Sequence, residues 1–117
     1  MTTKRDVECF LEQFKIKLDI YDIVFRTRTN DKNERTLFAL DITSRYRKDV
    51  IRNLEVRDYS QGPLADELYH GTEMWVFGKD VKGQEVYIKI SMGVPEKHTI
   101  CISFHIAERP MRYPFKE

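Results

Sequence analysis

The sequence predicts an α+β fold, with N-terminal helices packed on one face of a small antiparallel sheet. Three observations carry this reading. Apolar residues recur at helical spacing over residues 3–18. Between residues 72 and 106 three runs rich in aromatic and β-branched residues follow one another, each bounded by turn-forming residues. The chain has 117 residues, 41% hydrophobic and 33% charged. That composition is globular, and the length suits one domain, 1–117, burying roughly 65% of its unfolded surface.

Taken in order, the first element is a helix whose inner face is Val7, Phe10, Leu11, Phe14 and Leu18. Thr2 or Thr3 can cap it, and Asp6 suits its first turn. Asp22–Thr29 reads as an edge strand with Arg26 and Arg28 on one face, as guards against edge pairing or as phosphate contacts. Residues 30–33 form a polar loop. Glu34–Leu40 predicts a short helix and Thr43–Leu54 a second, capped by Thr43 or Ser44. Tyr46, Val50 and Leu54 form the inner stripe of that second helix. Arg45, Lys48 and Arg52 share its outer face, which is solvated or meets an RNA backbone or an acidic partner. Glu55–Gly71 is a connector with turn chemistry from Asp58 to Pro63. A connector of that length in a small domain points to function.

The strands come next, over 72–79, 84–92 and 98–106. In the middle one Val86, Ile88, Ile90 and Met92 point one way, and Tyr87, Lys89 and Ser91 the other. In the last, Ile100, Ile102, Phe104 and Ile106 share a face against Cys101, Ser103 and His105. A hairpin turning near Pro95 places Tyr87 beside Ser103, with Lys89 and His105 close by. A hydroxyl, an ammonium and an imidazole then gather on one rigid surface, the candidate site. Trp75 belongs to the core, or stacks a base if its face is the wet one. Pro110 and Pro114 exclude a helix after residue 107. The segment is expected to lie along the sheet through Met111, Tyr113 and Phe115, bringing Arg109 and Arg112 near the end of the His105 strand.

Charge and cysteine usage narrow the classes. Net charge is +1, so any polyanion site must be a local patch. No apolar run approaches the roughly 18 residues of a membrane span. The N-terminus shows no signal-peptide stretch. A cytoplasmic protein is therefore expected, with Cys9 and Cys101 as reduced thiols. Those two cysteines and the histidines at 70, 98 and 105 fit no ligand spacing, so neither metal nor cofactor is expected.

Several segments together carry a resemblance. Leu37–Thr43 with the helix behind it, Leu54 with Asp58 and Tyr59, Met74–Phe77, Gly83–Ile90 and Ile102–Phe104 resemble MqsR-type toxins over roughly residues 25–107. The resemblance implies a RelE-like fold, mRNA endoribonuclease activity without metal, and neutralisation by a cognate antitoxin protein. It matches Tyr87 and Lys89 to functional positions of the family. A glutamine that follows the strand tryptophan is Val76 here, a connector lysine falls near Gln61, and a lysine after the Ser-Phe pair is His105. The chain also runs on to Glu117, past the point where the best-known branch stops.

Such cleavage needs a base for the ribose 2′-hydroxyl, an acid for the departing 5′-oxygen, and cations around the phosphorane. Histidine, with an ordinary pKa of about 6.5, suits either proton transfer. The expected assignment is His105 as acid or base, Tyr87 as its partner or a phosphate donor, and Lys89 with Arg109 or Arg112 as charge stabilisers. Gln61 and the Arg45, Lys48 and Arg52 face are further candidates for RNA contact. The second reading is a non-catalytic RNA- or protein-binding module on the same fold.

Overall fold

The computed structural model describes residues 1–26, 32–65 and 73–116. Its elements run α1 (Lys4–Tyr21), β1 (Ile23–Phe25), α2 (Lys32–Leu40), α3 (Ser44–Arg52), a 3-10 turn (Val56–Asp58), β2 (Tyr59–Leu64), β3 (Met74–Val81), β4 (Gln84–Ser91) and β5 (Thr99–Ile106). The strands form one sheet in the order β1-β5-β4-β3-β2. Expectations for Arg28, for residues 30 and 31, for His70 and for the connector over 66–71 fall outside the described residues. No helix among the described residues is long and apolar enough to cross a membrane.

α1 begins at a closed capping box. The Thr3 hydroxyl accepts from the Asp6 amide, and the Asp6 carboxylate accepts from the Thr3 amide. Val7, Phe10, Leu11, Phe14 and Leu18 are all buried, as their spacing predicts. Phe10 stacks on Trp75 at 4.6 Å and 13°, which fixes the helix on the sheet. Trp75 is therefore a core residue.

The sheet is mixed where an antiparallel one was expected. β1 runs parallel to β5, pairing Ile23 with Thr99 and Phe25 with Cys101. Alternation within a strand reports which face is buried but not which distant strand lies beside it. The connector also holds more than turns, since Tyr59–Leu64 pairs with β3. Gly62 and Pro63 hide that strand in the sequence. They are tolerated because β2 is an edge, where a missing N–H costs no ladder bond.

β5 contains a bulge. Lys89 pairs with Ser103 and Ile90 with Cys101, so Ile102 is the extra residue. The expected alternation breaks there. Cys101 joins Phe104 in the core, and Ile100 sits opposite Ser91 on the other face. Beyond the three residues of β1, α2 takes over the edge of β5. Asn33 Nδ2 donates to the Ile102 carbonyl at 3.3 Å, while Oδ1 accepts from the Phe104 amide at 2.9 Å. Thr36 Oγ1 accepts from the Ile106 amide at 3.1 Å. Two side chains thus stand in for a strand.

α3 is capped by Thr43, but its inner stripe differs from the expectation. Arg47 is 4% exposed and Tyr46 is 44% exposed. The Arg47 guanidinium lies 3.6 Å above the Phe25 ring and donates to Ser44 Oγ at 3.0 Å. Stacking on an aromatic face is what lets this charge go inside.

Candidate functional site

The face of the sheet opposite α1 carries the expected site. Register sets two rows across it. One row is Gln61, Val76, Lys89 and Ser103; the other is Gly78, Tyr87 and His105. Tyr87 therefore lies opposite His105, not Ser103, and Lys89 takes the place beside Ser103. The residues between the two strands, together with the bulge, shift the register from the expected one.

Tyr87 and His105 stack with ring centroids 5.0 Å apart at 14°. Lys89 Nζ stands 5.8 Å from the Tyr87 ring centroid, within cation–π range. His105 Nδ1 lies 2.9 Å from the Ile106 carbonyl. A carbonyl only accepts, so in the neutral imidazole this bond puts the proton on Nδ1 and leaves the lone pair on Nε2. A half-buried imidazole with an available nitrogen, a phenol against its ring and an ammonium beside the phenol make a proton-transfer and anion-stabilising set.

These side chains line a cleft of about 630 Å³, walled by β2 through Ser60 and Gln61 and by the C-terminal segment through Arg109 and Arg112. Six expected residues are thus brought together: His105, Tyr87, Lys89, Gln61, Arg109 and Arg112. Arg45, Lys48 and Arg52 are not among them. They line a separate groove with the end of α1 and with β1. There Arg52 Nε and Nη2 donate to the Asp19 carboxylate at 3.0 and 2.8 Å, and Lys48 Nζ meets Asp22 at 2.8 Å. The Lys48 contact holds the Asp22 carboxyl below the usual range, helped by the Ile23 amide. Complete burial pushes the Cys101 thiol up to about 12, which removes it as a nucleophile at neutral pH. Among the described residues no three His, Cys, Asp or Glu side chains form a metal-binding group.

The C-terminal segment, 107–116, is a strap across the sheet. The Ala107 amide donates to the Glu85 carbonyl at 2.8 Å. The Met111 amide and the Tyr113 hydroxyl donate to the two Glu85 carboxylate oxygens at 3.2 and 2.6 Å. Tyr113 and Met111 lie over the bare Cα of Gly78, where any Cβ would collide with the Tyr113 hydroxyl and come within 2.8 Å of Met111 Sδ. Phe115 stacks on Tyr59 at 5.4 Å and 23°. Lys32 pairs with Glu108 at 2.9 Å where the strap begins. Sequence patterning does not single out Glu85, Lys32 or Ser60, and Gly78 escapes it too. A glycine inside an aromatic strand is nonetheless a signal of close approach, and Gly78 in Trp75–Gly78 is one. Comparisons of the chain with protein-family models, with curated proteins and with solved structures found no match in any of the three.

Proposed function

We propose that the protein is a RelE-like, MqsR-type toxin, an endoribonuclease that cuts mRNA in the cytoplasm and is held in check by a cognate antitoxin protein. One observation carries the reading: the Tyr87–His105 stack, Lys89 and two strap arginines share a single cleft on a hydrogen-bonded sheet. Side chains placed by backbone pairing are pre-organised for chemistry. In the proposed step His105 Nε2 takes the 2′-hydroxyl proton and the 2′-oxygen attacks phosphorus. The bond to the 5′-oxygen breaks, and that oxygen receives a proton from the imidazolium or from Tyr87. Lys89, Arg109 and Arg112 stabilise the charge on the phosphorane. The product is a 2′,3′-cyclic phosphate, and DNA, lacking the 2′-hydroxyl, is spared.

The test is purified protein with end-labelled RNA and its DNA counterpart, in the presence of a chelator. RNA cleavage with cyclic-phosphate ends and intact DNA is the expected result. RNA that is bound but uncut supports the non-catalytic binding module instead. Cleavage that needs an added divalent ion overturns the mechanism, because no step here runs through one.

A further inference from the structure

The strap has no reason in the sheet ladder to be where it is. Past Ala107 it leaves β5, carries Pro110 and Pro114, and exposes Glu108, Arg109, Pro110, Arg112 and Pro114. Its hydrogen-bonded anchor is one residue of β4. Glu85 receives three donors, from Ala107 N, Met111 N and Tyr113 Oη, and Gly78 clears the space in which Tyr113 lies. Phe115 then ties the far end to Tyr59. The result is an arch over 108–112, pinned on both sides and carrying Arg109 and Arg112 against the cleft.

An arginine on a loose tail loses its conformational freedom when it meets a phosphate; one on a pinned arch has lost much of it already. We propose that Glu85 and Tyr113 are positioning residues for the cleft: they fix the arch so that Arg109 and Arg112 grip the phosphodiester backbone on either side of the bond opposed to His105. This rests on the reading of the cleft as an RNA site. The Tyr113 hydroxyl suits the part. Burial, and then Glu85, push its pKa above the ordinary tyrosine range, so it remains a donor at working pH.

The test compares Glu85→Ala, Tyr113→Phe and the Arg109→Ala/Arg112→Ala pair, singly and combined. Three quantities are read: KM and kcat on RNA, the Kd of a 2′-O-methyl RNA that cannot be cut, and hydrogen exchange at the Met111 amide. Glu85→Ala should unprotect the Met111 amide, raise Kd and KM roughly tenfold or more, and lower kcat as well, because the arginines it loosens also stabilise the phosphorane. The slope of log K against log salt should fall by about 0.7 for each single-strand phosphate that the arch no longer neutralises. Adding Glu85→Ala to the arginine pair should change nothing further, because both remove the same grip. Tyr113→Phe should show part of the effect and serves if Glu85→Ala fails to fold. Glu85→Gln, which keeps an acceptor for the Met111 amide, should rescue much of the loss. A Met111 amide still protected in folded Glu85→Ala overturns the proposal, as does unchanged affinity or additive loss with the arginine pair. Wild-type protein that binds the methylated RNA but cuts no RNA overturns the nuclease reading alone. Wild-type protein that binds none overturns both.

Discussion

Tyr87 and His105 occupy directly opposed positions on β4 and β5, and their rings stack at 5.0 Å. The stack fixes the plane of the imidazole, and the bond from Nδ1 to the Ile106 carbonyl fixes its tautomer. Together they aim one nitrogen. His105→Ala should lower RNA cleavage by roughly 10²–10⁴ while the protein stays folded. Tyr87→Phe keeps the stack and removes only the hydroxyl, so its effect on rate isolates the phenolic proton. Native-rate cleavage by folded His105→Ala would remove the histidine from the mechanism.

The edge of β5 gives a second prediction. Asn33 is 4% exposed and serves both the Ile102 carbonyl and the Phe104 amide. Asn33→Ala strands two buried backbone groups, each costing about 1–3 kcal/mol. Urea unfolding should show the loss, and the Phe104 amide should exchange faster. An Asn33→Ala protein as stable as wild type would mean that water replaces the side chain.

Phe104 tests the core. It is fully buried between the sheet and the helices. Phe104→Ala should cost about 3–5 kcal/mol, the transfer term plus the cavity left behind. A denaturation midpoint near that of wild type would show that the opposite face of β5 is the buried one.

The outer face of α3 gives a pH prediction. Lys48 holds the Asp22 carboxyl low; Asp22 is largely exposed and Lys48 about half-buried. A carboxyl with a depressed folded value lends stability that is present above its ordinary pKa and lost as pH falls through the folded one. Screening keeps the pair to at most about 1 kcal/mol. Lys48→Ala should therefore cost a little at neutral pH, and the gap to wild type should shrink as pH falls below about 4. Charge reversal at Arg45, Lys48 and Arg52 should leave the salt dependence of RNA binding unchanged if RNA sits in the His105 cleft alone. A flattened slope would extend the RNA path to this groove.

What could be read ahead of the structure follows from how local each signal is. The inner face of α1 was legible residue by residue, because Val7 to Leu18 obey one period and Thr3 with Asp6 marks the start. The members of the cleft were legible because strand alternation separates Tyr87, Lys89 and His105 from their apolar neighbours. Register was not, since the bulge at Ile102 has no sequence mark among Ile, Ser and Phe. The charge of Arg47 argues against burial in any one-dimensional reading, and only the tertiary placement of Phe25 beneath it reverses that. The parallel pairing of β1 and the seat of the strap on Gly78 join residues too far apart for any periodicity to relate.

A sheet recruits further strands wherever its rim shows unpaired backbone. Here Asn33 and Thr36 plug the upper rim of β5, β1 offers only three residues, and β2 interrupts its own rim with Pro63. None of these can seed a long ladder between molecules. Among the described residues the sheet therefore offers little main chain for filament growth or for a capturing protein to pair with, and recognition there falls to side chains.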